Sequence, residues 1–370
     1  MNRLSFIESL PGVGITEDMN IFHRIQIKLV LPLLVGIAAL AIGAGVALAG
    51  RTAAPIGQGV VVIETNLAYQ NAAAAGTGIV LTSSGRVLTN NHVIAGATTV
   101  KVVIPKTGRT YTASVTGYSK TADIAVLQLK NASNLKTLST ANGAALTVGQ
   151  AVHALGNAGG TGTLSSASGT VTGLGKSITA NDDQGGSEQL TGLIETNAGV
   201  VAGDSGGPLL DSAGRIVGID VAASANTGFQ TVAATDAYAI PIGKALTIAS
   251  QIQNGTSSAT VHVGATAFIG VQVEAAISSG GGGYPGDGYG TPTAPGAVIA
   301  GVVNGGPAAS AGLVTGDVIT AVNGQTISSP TDISPIILKL KPGAKVTIAF
   351  TDQTGTSQTA TVTLGSGPPQ

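Results

Sequence analysis

From about Val60 to Gln253 the chain reads as short apolar runs broken by Gly, Asn, Ser and Thr: GVVVIET, GTGIVLTSSGRVLTN, TVKVVIP, YTASVTGYS, DIAVLQLK, QAVHALGN, SASGTVTGLGK, GLIETNA and GPLLDSAGRIVGIDVAA. Runs this short, with turn residues between them, predict antiparallel strands in a barrel or sandwich. One stretch departs from that pattern. Apolar Ile242, Leu246 and Ala249 fall at helical spacing and predict a helix over Ile242–Gln253. The polar segment NGTSSATVHVGAT then leads into a second body, roughly Thr266 to Gly365. The stretch SSGGGGYPGDGYGTPTAPG, Ser278–Gly296, interrupts that body and is too rich in Gly and Pro to pack, which predicts a loop. There is no tandem repeat.

Composition sharpens the β reading. Apolar residues make up 43% but aromatics only 3%, so the cores must be built from Val, Ile, Leu and Ala, which suits sheets. With 17 basic and 18 acidic residues and no basic run, nothing steers the chain to nucleic acid. Cysteine is absent, which excludes disulfides, thiolate catalysis and cysteine metal sites.

The N-terminal region carries a different signal. Leu29 to Gly50 is an uncharged run of 22 residues, long enough as a helix to cross a hydrocarbon core of ~30 Å. Arg24 and Lys28 precede it, whereas only Arg51 follows before Arg86. That bias predicts a cytoplasmic N-terminus, a single-pass anchor in the cell membrane, and the rest of the chain outside the cytoplasm. The alternative is secretion after cleavage near Ala49, since Ala47-Leu48-Ala49 has the small-x-small form of a signal-peptidase site.

Three segments carry candidate chemistry: TNNHVIAGA around His92, TADIAVLQL around Asp123 and AGDSGGPLL around Ser205. A serine hydroxyl is a poor nucleophile until a base takes its proton, and a carboxylate must hold that base in one tautomer. His92, Asp123 and Ser205 supply base, carboxylate and nucleophile in that chain order. Gly203 lets the backbone turn so that its N–H and that of Ser205 converge as an oxyanion hole. Gly206 and Gly207 are expected to keep side chains off an approaching substrate. The bland readings are a turn histidine, a strand-start cap for Asp123 and a turn serine. His153, inside a strand-like run, is the weaker candidate base, and His262 and His23 carry no motif. No metal or cofactor enters this chemistry.

The set TNNHV, DIAVL and GDSGGP resembles the HtrA/Deg family of chymotrypsin-fold serine proteases. The second body resembles that family's PDZ domain: GGPAASAGLVTGDVITAVNGQTI, Gly305–Ile327, is similar to its central stretch, and AFIGVQV, Ala267–Val273, to its carboxylate-binding loop and following strand. The resemblance implies a mainly β chain, a chymotrypsin-like double β-barrel protease domain followed by a PDZ domain, and the 29–50 run adds one transmembrane helix before them. The segments are then a leader (1–28), an anchor (29–50), a linker (51–59), the protease domain (60–253), a linker (254–265), the PDZ domain (266–365, with its 278–296 insert) and a tail (366–370). It also implies an endopeptidase acting on unfolded or damaged exported polypeptides, and a homotrimer. A peptide-binding or chaperone-like scaffold with a silent protease half is the alternative, and an adhesin-like β protein accounts for the glycines but not for the ordered motifs.

By the same resemblance, the primary specificity pocket takes its floor from Gly199 and Val200, and its opposite wall from Gly218–Ala223, including Val221 and Ala222. No carboxylate stands at the floor, so an aliphatic guest is expected, with Asp220 of undecided orientation. Phe268, Ile269, Gly270 and Val271 would bind a peptide C-terminus, with Ile333, Ile336 or Ile337 across the groove. Two departures stand out. Asp204 occupies a place where the family more often has Asn. Pro335 falls at the expected start of the groove helix, giving a helix from about Ser334 to Leu340.

Overall fold

The computed structural model describes residues 52–53, 57–141, 143, 145–181, 187–221, 236–275 and 295–370. The predicted span at 29–50, Ala222, Ala223 and all but the last two positions of the 278–296 insert lie outside the described residues. Among those described, no helix is long and apolar enough to cross a membrane.

A two-residue strand, β1 (Thr52–Ala53), precedes six strands: β2 (Val60–Leu67), β3 (Ala72–Val80), β4 (Arg86–Thr89), β5 (Thr99–Ile104), β6 (Arg109–Ser119) and β7 (Ile124–Leu129). They pair in the order β6-β5-β2-β3-β4-β7, and pairing of β6 with β7 closes them into a barrel. The uninterrupted run Val60–Ile63 is buried along its whole length, and the two faces of the strand explain why. Val61 and Ile63 point into the barrel core with Val87, Val102 and Leu127. Val60 and Val62 point outward against Leu155 and Leu164 of the next barrel. A strand apolar on both faces belongs between two bodies, not at a water surface.

The second barrel comprises β8 (Ala151–Gly156), β9 (Ser165–Asn181), β10 (Ser187–Thr196), β11 (Pro208–Asp211), β12 (Ile216–Val221) and β13 (Ala237–Pro241). Its order is β9-β10-β13-β12-β11-β8, closed by β8 on β9, with β1 added along β9. A short helix α1 (Asn91–Ile94) follows β4, and a longer helix α2 (Ile242–Gln253) follows β13. The span of α2 agrees with the helical spacing in the sequence. Asn254 and Gly255 end it, Gly255 at φ 72° with its N–H bonded to Ile252 O. Ile242, Ala245, Ala249 and Ile252 of α2 join Ile79, Leu88, Ile124 and Val126 of the first barrel and Ile216, Ile219 and Ile240 of the second in one shared cluster. Burying each Ile or Leu there contributes roughly 1.5–3 kcal/mol, so the barrels are held in a fixed relation.

A two-residue strand, β14 (His262–Val263), pairs with β6 and leads the chain to the third body. There β15 (Thr266–Phe268), β16 (Val271–Ala275), β17 (Ala297–Val302), β18 (Val318–Val322), β19 (Gln325–Thr326), β20 (Lys345–Thr351), β21 (Ser357–Thr363) and β22 (Gly365–Gly367) surround a core that includes Ile299, Leu313, Ile319, Ile348 and Val362. The sheet runs β16-β17-β18-β20-β21, with β19 on β18, while β15 pairs with β22. Two short helices, α3 (Pro307–Ser310) and α4 (Ile333–Ile337), complete it. The groove helix differs from the expected Ser334–Leu340. A 3-10 turn at Pro330–Asp332 runs straight into α4, which ends at Ile337. A capping box sets that start: the carboxylate of Asp332 accepts the N–H groups of Ser328 (2.8 Å) and Ser329 (2.9 Å). Pro335 then sits in the first turn of α4, where a missing N–H costs little.

Candidate active site

Each candidate group sits in a short helix or turn next to a strand. His92 lies in α1, directly after β4. Asp123 opens β7 from a turn closed by its own N–H on Lys120 O (2.9 Å), and it adopts φ 52°, a left-handed conformation that Asp tolerates better than most residues. The two meet twice. His92 Nδ1 donates to Asp123 Oδ2 at 2.9 Å, and the His92 main-chain N–H donates to Oδ1 at 3.0 Å. Asn90 adds a third tie, donating from Nδ2 to Asp123 O at 2.9 Å. The Asp123 side chain is 7% exposed and that of His92 41%, so the carboxylate is shielded while the imidazole is partly open to solvent. A carboxylate bonded in this way fixes the Nδ1–H tautomer and leaves Nε2 as the basic nitrogen.

Ser205 is buried in the turn between Val200 and β11. Thr77 of β3 ties that turn to the first barrel. Its N–H donates to Ser205 O (2.9 Å) and its hydroxyl donates to Gly203 O (2.7 Å) while accepting Asn157 N–H (2.9 Å). Thr89 in turn donates its hydroxyl to Thr77 O at 2.8 Å, three residues before His92. Packing around Gly76 makes the same point, because a Cβ there would lie 2.7 Å from the Val93 side chain and 3.3 Å from Ser205 O. The structure therefore brings the segments of His92, Asp123 and Ser205 to one place.

The glycines around Ser205 have an internal cause. Gly203 adopts φ 94°, and a Cβ on it would overlap Asn157 O. A Cβ at Gly206 would overlap Thr77 O and the Thr89 hydroxyl, and one at Gly207 would overlap Leu155 O. Gly206 and Gly207 thus admit the neighbouring strands, a closer constraint than the expected clearance for substrate. The turn is closed further by Gly207 N–H on Asp204 O (2.8 Å), Gly206 N–H on Asp220 O (3.0 Å) and Asp220 N–H on Gly207 O (2.8 Å). Asp204 is fully buried and its Oδ2 accepts Val201 N–H at 3.0 Å, so its carboxylate braces the turn it belongs to.

The remaining candidates are placed as follows. Gly199 adopts φ 60°, with open space where a Cβ would point. Val200 is half-buried against the second-barrel cluster, Val221 is buried in the cluster between barrels, and Asp220 is buried. His153 lies across the β8–β9 pair from Ser168, its Nδ1 3.0 Å from the Ser168 hydroxyl. In the third body, Ile269 O accepts Ala308 N–H and Gly270 O accepts Val303 N–H, both at 2.9 Å, and Gly270 adopts φ 85°. Val271 begins β16, the edge strand of its sheet. Ile333 and Ile337 are buried in the core, whereas Ile336 is half-buried. Among the described residues there is no cluster of His, Cys, Asp and Glu able to hold a metal.

Thr77, Asn90 and Tyr69 escape sequence reasoning. Tyr69, in the tip between β2 and β3, stacks on Phe268 with ring centroids 5.4 Å apart and planes 9° from parallel, and Gln272 Nε2 lies 3.5 Å from Tyr69 O. The first barrel thus touches the loop expected to hold a peptide end.

Comparison with known proteins gives a consistent picture. Residues 76–219 match the trypsin-like peptidase domain and residues 267–364 the PDZ domain. The chain is 33% identical over 332 residues to the serine protease PepD of Mycobacterium tuberculosis, covering 85% of this chain and 65% of that protein. It is 31% identical over 294 residues to a probable periplasmic serine endoprotease, DegP-like, of Pseudomonas savastanoi pv. phaseolicola, covering 79% and 56%. It is 31% identical over 276 residues to the periplasmic pH-dependent serine endoprotease DegQ of Escherichia coli, covering 74% and 56%. The chain thus spans little more than half the length of the DegP-like and DegQ relatives. The two domain matches give this chain a trypsin-like peptidase domain followed by a PDZ domain, homologous to the serine proteases named DegQ and PepD.

Proposed function

We propose that the chain is a serine endopeptidase in which Ser205 is the nucleophile, His92 the general base and Asp123 the orienting carboxylate. The observation that carries this is the doubly hydrogen-bonded His92–Asp123 pair beside the glycine-rich turn of Ser205. Ser205 Oγ attacks the scissile carbonyl carbon while His92 Nε2 takes its proton. The N–H groups of Gly203 and Ser205 bind the oxyanion that forms. His92 then protonates the leaving amine, and water releases the acyl group by the same steps in reverse order. Since the imidazole must be neutral to act as base, turnover should rise as pH climbs through the range in which histidine loses its proton.

The substrates in this reading are unfolded or damaged polypeptides outside the cytoplasm; the word periplasmic in the names of two relatives supports the location alone. The uncharged 29–50 run serves as a membrane anchor, with release near Ala49 as the alternative, and a homotrimer is the proposed assembly. Each awaits its own test, by membrane flotation with N-terminal sequencing and by light scattering.

Specificity follows from what stands at the pocket floor. Gly199 and Val200 offer no carboxylate, so a Lys or Arg guest would be buried unpaired at a cost of several kcal/mol (order of magnitude). Cleavage of casein should therefore give fragments ending mainly in Val, Ala, Ile or Leu by mass spectrometry. A majority of Lys and Arg ends would reject the pocket assignment.

For the PDZ domain we propose capture of a free peptide C-terminus. Among the described residues the strand β16 has a neighbour on one side only, β17, and an edge strand can pair with an extended peptide. The loop Phe268–Val271 would receive the carboxylate, and the half-buried Val271 and Ile336, backed by the buried Ile269, Ile333 and Ile337, the last side chain. Calorimetric titration of the full chain carrying Ser205→Ala should show micromolar binding of peptides ending in a free aliphatic residue, worth about −8 kcal/mol at ~1 μM, and none of their C-terminal amides. Equal binding of acid and amide would reject it.

A further inference from the structure

The last residues of the chain leave the PDZ domain and lie against the protease barrel. β22 ends at Gly367 beside Phe268, and Pro368 and Pro369 are both buried. Pro369 O accepts the N–H of Gly96 at 2.8 Å, and Gln370 O accepts Asn91 Nδ2 at 3.1 Å. Those two donors flank α1, the helix that holds His92: Asn91 is its first residue and Gly96 lies two beyond its last. The main-chain N–H of Gln370 also donates to the hydroxyl oxygen of Tyr118. Tyr118 is a buried residue of β6 whose strand partner on β7 is Ala125, two residues after Asp123. The tail therefore touches the helix that carries His92 and the strand that pairs with β7.

We infer that residues 368–370 are a positioning element for that pair. This rests on the proposed catalytic role of His92 and Asp123 and goes beyond it by assigning a function to a segment outside the protease domain. The physical reason is the shortness of α1. A four-residue helix has no stability of its own, so its position comes from what it contacts. Val93 and Ile94 are buried on the barrel and the Asp123 carboxylate holds the His92 N–H, but Asn91 and Gly96 are tied to the tail. Removing the tail takes one hydrogen bond from each end of α1 while leaving the barrel core untouched. The imidazole is then held less tightly against Asp123, and small misplacements of a catalytic group are costly in rate. Both acceptors are main-chain carbonyls, so the geometry demands a chain in that place and is indifferent to the side chain of Gln370.

The test compares the parent, a variant lacking residues 368–370, and Gln370→Ala, each in the full chain. Turnover of an aliphatic peptide substrate, the thermal midpoint, and the Nδ1–H proton resonance of 15N-labelled His92 are read together. Positioning predicts that deletion lowers kcat by about tenfold with KM unchanged, shifts the thermal midpoint by no more than about 2 °C, and broadens or removes the His92 Nδ1–H resonance. Gln370→Ala should match the parent in all three. An unchanged kcat and an unchanged resonance on deletion would overturn the proposal. So would a fall in kcat matched by a large fall in thermal midpoint, because that is what a merely stabilising tail would do. If the parent itself cleaves nothing, the catalytic reading fails separately, and the resonance alone decides: its loss on deletion keeps the positioning role, and its persistence removes it.

Discussion

Replacing Ser205 with alanine is expected to reduce the turnover of unfolded casein by at least about 10⁴-fold while leaving the fold intact. The two halves of that statement have different causes. The hydroxyl is the only nucleophile in the proposed mechanism, so without it the remaining catalysis comes from the oxyanion donors and from binding alone. The fold depends instead on main-chain atoms of this residue and its neighbours. Thr77 N–H bonds to Ser205 O and the Thr77 hydroxyl to Gly203 O, and both bonds persist in the variant. Casein hydrolysis and circular dichroism measured side by side check it. Loss of activity together with loss of the β signal would attribute the effect to unfolding and leave the nucleophile unassigned.

Asp123→Asn should lower kcat by about 10⁴-fold, by a route that leaves the serine in place. The carboxylate accepts two donors, the His92 main-chain N–H on Oδ1 and Nδ1–H on Oδ2. An amide of the same shape has one acceptor and one NH₂, so one of those donors must face another donor. If the ring takes the other tautomer, Nε2 carries the proton and cannot receive one from Ser205. The thermal midpoint should fall only modestly, since the packing volume is kept. A kcat within about tenfold of the parent would show that Asp123 does not set the tautomer.

The candidate segments were readable because each motif is local. TNNHV, DIAVL and GDSGGP each encode in five or six residues a turn, a strand start or a glycine-rich bend; Thr77 ties the first to the third, and Asn90 and His92 tie the first to Asp123. Short apolar runs and turn residues likewise yield the strands, and Ile242, Leu246 and Ala249 yield α2. What escaped is long-range and made by ordinary residues. Thr77 bonds to Gly203 across 126 positions, Asn91 to Gln370 across 279, and Tyr69 stacks on Phe268 in another domain. Nothing in a threonine between two glycines, or in a Pro-Pro-Gln tail, names a partner so far away. The groove helix is a different case, because its signal lies in the sequence. Pro335 draws the start to Ser334, but Ser329 and Asp332, spaced as a capping box, set it earlier. The glycines after Ser205 read naturally as clearance for substrate, and only the close approach of Thr77 and Leu155 shows that the barrels themselves require them.

The central claim, that Ser205 is a nucleophile activated by His92, is tested most directly by a fluorophosphonate probe, which bonds covalently only to an activated serine. Incubated with the parent chain, it should add one phosphonyl group, mapped by peptide mass spectrometry to Ser205. The adduct should be absent from Ser205→Ala and form far more slowly on His92→Ala. A parent chain that stays unlabelled, or an adduct on any other residue, would contradict the account.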